Sequence, residues 1–260
     1  MTLFGNNVCV AKECAFCPET AKLSAEHLWS DWMNALFPGR KRFTSKNDKG
    51  EIVVDRLSRR LDWTARVVCQ PCNNTWMSEI ESNAKSAMSN FIRGMTGPIS
   101  QSSADSIALF AFKSAVNFDH VRRDRKPFFT RSVRHGFRES SAIPSSVRMF
   151  MAGFLPRGKG HVHTCYHEGP LSPTERINLY VCTYAVGHFV FQSVGQRQQG
   201  FTKVTLQPRE FRSFAVEFWP WIPGGIAWPP NHVLQTVDDF DSFSVRWRNL
   251  TATTLGDHLR

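Results

Sequence analysis

The sequence predicts an α+β protein: an N-terminal unit pinned by a metal, then a helix, then a mainly antiparallel β region. Three observations predict it. Two Cys-x2-Cys pairs, Cys14/Cys17 and Cys69/Cys72, have the spacing with which thiolates wrap a tetrahedral ion. Apolar residues recur on the 3.6-residue period over 76–91 and again over 104–120. From Val147 onward the texture changes to runs of strand-forming residues broken by Gly and Pro turns.

A chain of 260 residues with 42% hydrophobic and 21% charged residues can bury a sizeable core. A Met-Thr-Gly-Pro-Ile-Ser-Gln-Ser stretch at 95–102 has linker composition, so two domains are expected, 1–97 and 98–260. No apolar run approaches the roughly twenty residues that span a bilayer. The start, Met1 to Asn6, lacks a basic segment followed by an apolar core. Cys9, Cys165 and Cys182 remain without a patterned partner, which argues against a secreted disulfide scaffold. A cytoplasmic protein is the expectation.

In chain order, Cys9 reads either as a small buried thiol or as a spare ligand. Ser24 to Phe37 carries Leu28, Trp29, Trp32, Met33 and Leu36 at helical spacing, so a helix is expected with both tryptophans in the core. A turn and the basic cluster Arg40, Lys41, Arg42 follow. From Arg40 to Arg66 there are nine basic residues, Arg59 and Arg60 among them, against four acidic ones. Asn47-Asp48-Lys49-Gly50 reads as a hairpin turn. Trp76, Ile80, Ala84, Met88 and Phe91 mark a helix that stops at Gly94, with Asn73-Asn74 at its start. Glu79, on the first turn of that helix, reads as an answer to its dipole or as a ligand.

The helix over 104–120 is apolar on so wide a face that it must be largely buried. Arg122 and Arg123 open a second basic cluster, interleaved with Phe128, Phe129 and Phe137. That pattern fits a nucleic-acid surface and equally a helix exit packed on a sheet. His161, His163, Cys165 and His167 share one strand face, but residues at i and i+2 are roughly 7 Å apart. Four in a line do not converge on one ion, and a polar edge strand is expected. The Trp- and Pro-rich 218–230 reads as a lid over a hydrophobic core or as a stacking platform. Asp238, Asp239 and Asp241 read as capping residues.

Two cysteine pairs close a four-thiolate site that leaves no position open for catalysis, so the ion they imply is a structural Zn2+. It would bring Glu26-His27 beside Asn73-Asn74. The order Cys-x2-Cys, acidic-His, Cys-x2-Cys-Asn over residues 9 to about 95 resembles the HNH endonucleases, whose ββα-metal unit cuts nucleic acid with a divalent ion. The resemblance implies that His27 is the general base and that Glu26 and Asn73, with Asn74 in reserve, hold Mg2+ or Mn2+. Thr64 and Met77 stand where that family carries an Asn and, in some members, a further His. The C-terminal part is similar to uncharacterised bacterial proteins that carry an HNH-like unit.

With a net charge of +10, the expected partner is a polyanion. Residues 1–140 hold 21 Lys or Arg against 14 Asp or Glu, and residues 141–260 hold 11 against 8, so the excess is concentrated in the first part. Two functions from different classes emerge. One is a metal-dependent endonuclease acting on DNA in a phage or a bacterial antiviral defence, with Arg40, Lys41, Arg42, Arg59, Arg60, Arg122 and Arg123 on the phosphates. The other is a zinc-containing nucleic-acid-binding protein without catalysis. The second domain would serve target, protein-partner or ligand recognition, or self-association.

Overall fold

A computed structural model describes residues 13–19, 22–36, 41–47, 49–58, 63–121, 125–155, 159–172, 175–199, 215–221 and 225–249. The fold is α+β, as expected. Strand β1 (Leu23–His27) pairs antiparallel with β4 (Thr64–Cys69), and the chain turns directly from β4 into helix. That helix starts at Gln70, with Pro71 in its first turn, where a missing N–H costs nothing. It runs as α2 (Gln70–Cys72), a π-helical turn (Asn73–Met77) and α3 (Ser78–Ile92), and Gly94 takes the left-handed φ of 89° that ends it.

Between β1 and β4 lie α1 (Trp32–Leu36) and the hairpin β2 (Lys41–Lys46) and β3 (Ile52–Ser58). The hairpin turn forms where expected: Asn47 Oδ1 accepts from the backbone N–H of Lys49 and Glu51, and Gly50 supplies a φ of 80°. Ser24 to His27, expected as the first turn of a helix, is strand. The helical spacing of Leu28, Trp29 and Met33 instead reflects one apolar patch, in which Trp29 packs on Phe43 and on Tyr184 at 4.1 Å between centroids.

Beyond Gly94, β5 (Gly97–Ile99) leads into α4 (Gln101–Val121), and α5 (Arg131–Ser140) follows, capped by the Thr130 hydroxyl. Strands β6 (Val147–Phe154), β7 (Lys159–Ser172), β8 (Glu175–Val186), β9 (Phe189–Gln199) and β10 (Ala215–Trp219) make the large sheet. Next come β11 (Ile226–Trp228), paired with β5, then β12 (Val233–Leu234) and α6 (Val237–Val245). Among the described residues the sheet order is β10-β6-β9-β8-β7-β2-β3, with β12 also on β6. Only the β2/β7 and β12/β6 pairings in it are parallel.

Helices α3 and α4 cover one face of this sheet and α6 the other. One core cluster runs from Cys14 through α3 and α4 to Tyr180, Tyr184 and Phe191, and β2 hydrogen-bonds to β7. Core and sheet therefore both cross the boundary expected near residue 97. Strand β7, expected at an edge, lies inside the sheet between β8 and β2. His161 and His163 are buried there, with His161 against the rings of Phe154 and Phe240. Phe128, Phe129 and Phe137 are buried, and so is Trp228, which packs on Phe91 and Phe189. These rings are core. Asp239 completes a capping box with Thr236 at the start of α6, while Asp241 pairs with Lys46.

Candidate metal centre

Cys14 and Cys17 approach Cys69 and Cys72 because β4 delivers its last residue, Cys69, straight into the first turn of α2. The four Sγ atoms lie within 4.8 Å of one another. Cys17 Sγ is 3.6 Å from Cys69 Sγ and 3.6 Å from Cys72 Sγ. A tetrahedral zinc with bonds of about 2.3 Å needs sulfur separations of about 3.8 Å, so the donor set fits the ion. The backbone N–H of Cys69 and of Phe16 point at Cys14 Sγ, at 3.3 and 3.5 Å, and work to lower its thiol, but the hydrogen bond to Cys72 and burial outweigh them and hold it above the ordinary thiol range. A hydrogen bond from the Cys14 thiol pulls Cys72 down to about 4, whereas burial pushes Cys17 up to about 11. No other group of three or more His, Cys, Asp or Glu among the described residues could hold an ion.

The knuckle is braced from outside. Arg134, buried on α5, donates from Nη1 to the Ala15 carbonyl at 2.9 Å and from Nε to the Phe129 carbonyl at 3.1 Å. Phe16 packs edge-on against Trp76 at 5.2 Å, and both rings meet Phe137.

The residues assigned to a catalytic ion have other occupations. Glu26 is only 3% exposed, and its Oε1 accepts from Lys113 Nζ at 2.9 Å and from Asn117 Nδ2 at 3.1 Å. Lys113 Nζ also donates to Glu81 Oε1 at 2.5 Å, and Glu81 accepts a further bond from Ser30 Oγ at 2.7 Å. Burial works to deprotonate Lys113, but the charges of Glu26 and Glu81 outweigh it and hold the ammonium above the ordinary lysine range. Burial raises Glu26, and Lys113 only partly offsets that.

Asn73 donates from its side chain to Ser24 Oγ at 3.1 Å, and Asn74 is exposed. The Asn73 N–H is spent on the Gln70 carbonyl, because the helix begins three residues earlier than expected. Glu26 and Asn73 thus do not fit a divalent ion: the cation beside Glu26 is a lysine of the chain itself. His27 is half-buried at the end of β1, across from Thr64, and Met77 is buried in the core.

Of the expected phosphate contacts, Arg42 makes a two-pronged pair with Asp55, at 2.8 and 2.6 Å. Arg40, Arg59, Arg60, Arg122 and Arg123 lie outside the described residues, as do Cys9 and the side chain of Lys41. Lys113, Asn117, Glu81 and Asp119 were not singled out from the sequence. Lys113, Asn117 and Asp119 are polar residues in the mostly apolar second half of α4, and the local sequence does not mark them as buried. Compared with known protein families, curated proteins and solved structures, the chain gives no match.

Proposed function

We propose that this is a zinc-containing nucleic-acid-binding protein that uses its strand-strand-helix unit as a rigid scaffold and does not hydrolyse phosphodiesters with a metal. The observation that carries the reading is Lys113, whose ammonium sits between Glu26 and Glu81 where an acidic pair would otherwise attract a divalent cation. A tethered ammonium supplies charge balance but no coordinated water to activate. The chain's excess of ten positive charges supports a polyanionic partner.

The metal-dependent DNA endonuclease is the second reading. What favours it is that the zinc-pinned unit keeps His27 and Asn73 on adjoining elements, β1 and the π-helical turn. One pair of experiments separates the two. Binding of labelled duplex and single-stranded DNA is followed by anisotropy across a salt series, and the expected result is affinity that falls linearly on a log–log plot, by roughly 0.7 to 0.9 per phosphate contacted. Plasmid is incubated with the wild type and with His27→Ala under magnesium, manganese and EDTA. Intact plasmid throughout is expected; metal-dependent cleavage that vanishes in the variant would put the endonuclease in its place.

A further inference from the structure

A cleft of about 330 Å³ opens on the face of the sheet away from α6, where β7, β8 and β9 meet the chain that leaves α4. Three cations line it: Arg125, Lys126 and Arg197. Their side chains project from a built floor. The Arg125 guanidinium lies 3.8 Å from the Tyr166 ring centre, and the Arg197 guanidinium lies 4.4 Å from that of Phe128. Tyr166 in turn packs on Tyr180 at 4.8 Å, and Phe128 stacks on the same Tyr180 at 5.8 Å. Phe128 and Tyr166 also meet, at 6.5 Å, so the three rings form one compact cluster with a guanidinium over two of its members.

Buried Asp119 fixes that cluster. Its two carboxylate oxygens accept the backbone N–H of Phe128 and Phe129, each at 2.9 Å, and the Tyr166 hydroxyl donates to the same group. The acid in the cleft wall, Glu168, is engaged at 2.9 Å by Arg176. Positive charge therefore dominates the opening.

We propose that this cleft binds a phosphate group, an anion with enough oxygens to take donors from two guanidiniums and an ammonium at once. A carboxylate, with two oxygens, satisfies a single guanidinium fork. The proposal deepens the nucleic-acid reading above and rests on it for one of two sources, strand phosphates; the other is a small phosphate ester. Stacked arginines are held in place before the ligand arrives, so less side-chain freedom is lost on binding.

The test uses the full chain, a fluorescein-labelled single-stranded oligonucleotide, and calorimetric titrations with AMP and with inorganic phosphate. Arg125→Ala/Arg197→Ala is compared with a charge-matched control, Lys85→Ala/Arg93→Ala, whose side chains are exposed on α3 and its end. Thermal melts of both variants verify the fold. The expected result is at least a tenfold loss of oligonucleotide affinity in the cleft variant, under threefold in the control, and displacement of the oligonucleotide by millimolar AMP from the wild type. AMP or phosphate bound by the wild type and lost in the cleft variant, with no oligonucleotide bound by either, keeps the phosphate site and sinks the nucleic-acid reading. Equal oligonucleotide and AMP binding by wild type and cleft variant overturns the site and leaves that reading standing. No binding of any of the three probes overturns both.

Discussion

Lys113 Nζ lies 2.9 Å from Glu26 Oε1, although 87 residues separate the two, and this ion pair ties α4 to β1. Both side chains are almost fully buried, at 2% and 4% exposure, so neither charge has water to fall back on. Removing one partner of such a pair is far costlier than replacing both, because the survivor keeps its desolvation penalty.

Lys113→Met is accordingly expected to destabilise the protein by about 3 to 5 kcal/mol. Adding Glu26→Gln to the same chain should restore part of that, since the remaining amide can still accept from Asn117. Urea unfolding of the two single variants and the double variant gives the coupling energy. About 1 kcal/mol or more of favourable coupling is expected; strict additivity would contradict the pairing.

One zinc per chain is expected by elemental analysis, and Cys72→Ser should abolish it. Loss of the ion, by that variant or by a strong chelator, removes what joins the loop at Cys14 to the end of β4. A drop in stability of several kcal/mol is expected in a chelator titration followed by near-UV circular dichroism. Retention of one equivalent of zinc by the variant would count against the four-thiolate site.

His120 gives a pH dependence with a definite sign. Burial, followed by the charge of Arg134, pushes its pKa from 6.5 to about 4, and Arg134 Nη1 lies 3.2 Å from its Nδ1, which suits a neutral ring that accepts. Between these values the unfolded chain binds a proton that the folded chain refuses. Stability is therefore constant above about pH 6.5 and falls as the pH is lowered towards 4. The full shift corresponds to about 3 kcal/mol, and partial solvent access at the half-buried ring reduces it to about half. His120→Gln should flatten that part of the curve. Urea midpoints of both proteins at pH 7, 5.5 and 4.5 provide the comparison.

Gly195 is an expected weak point. A Cβ there would lie 2.8 Å from Phe128 Cε1 and 3.1 Å from Phe129 Cε1, and both rings are wedged against Tyr180. Gly195→Ala should cost about 1 to 3 kcal/mol through overpacking. A melting temperature equal to wild type would show that the two rings have room to move.

Much of this arrangement is legible in the sequence. The four cysteines announce themselves by spacing, α3 and α4 by apolar period, and the Asn47 turn by its residue types. Two things are not. Ser24 to His27 satisfies a helical pattern and nevertheless forms strand, because pairing with β4, some forty residues later, outweighs local preference. Lys113 counts as one polar residue in a mostly apolar helix, and nothing local tells a buried ammonium from a surface one. What decides it is the arrival of Glu26 and Glu81 from two other elements. For the same reason Asp119 passes as an ordinary helix-end residue, although three donors converge on it.

The parallel pairing of β2 with β7 has a consequence for how the chain is made. Phe43 lies opposite Gly160, so the strand that flanks the hairpin is translated more than a hundred residues after it. At synthesis rates of about 5 to 20 residues per second that delay is on the order of ten seconds. Throughout it the nascent hairpin exposes an open backbone edge, the kind of surface that recruits unintended strands. Lys41, Arg42 and Lys46 put charged residues on that strand, a feature that disfavours edge-to-edge pairing.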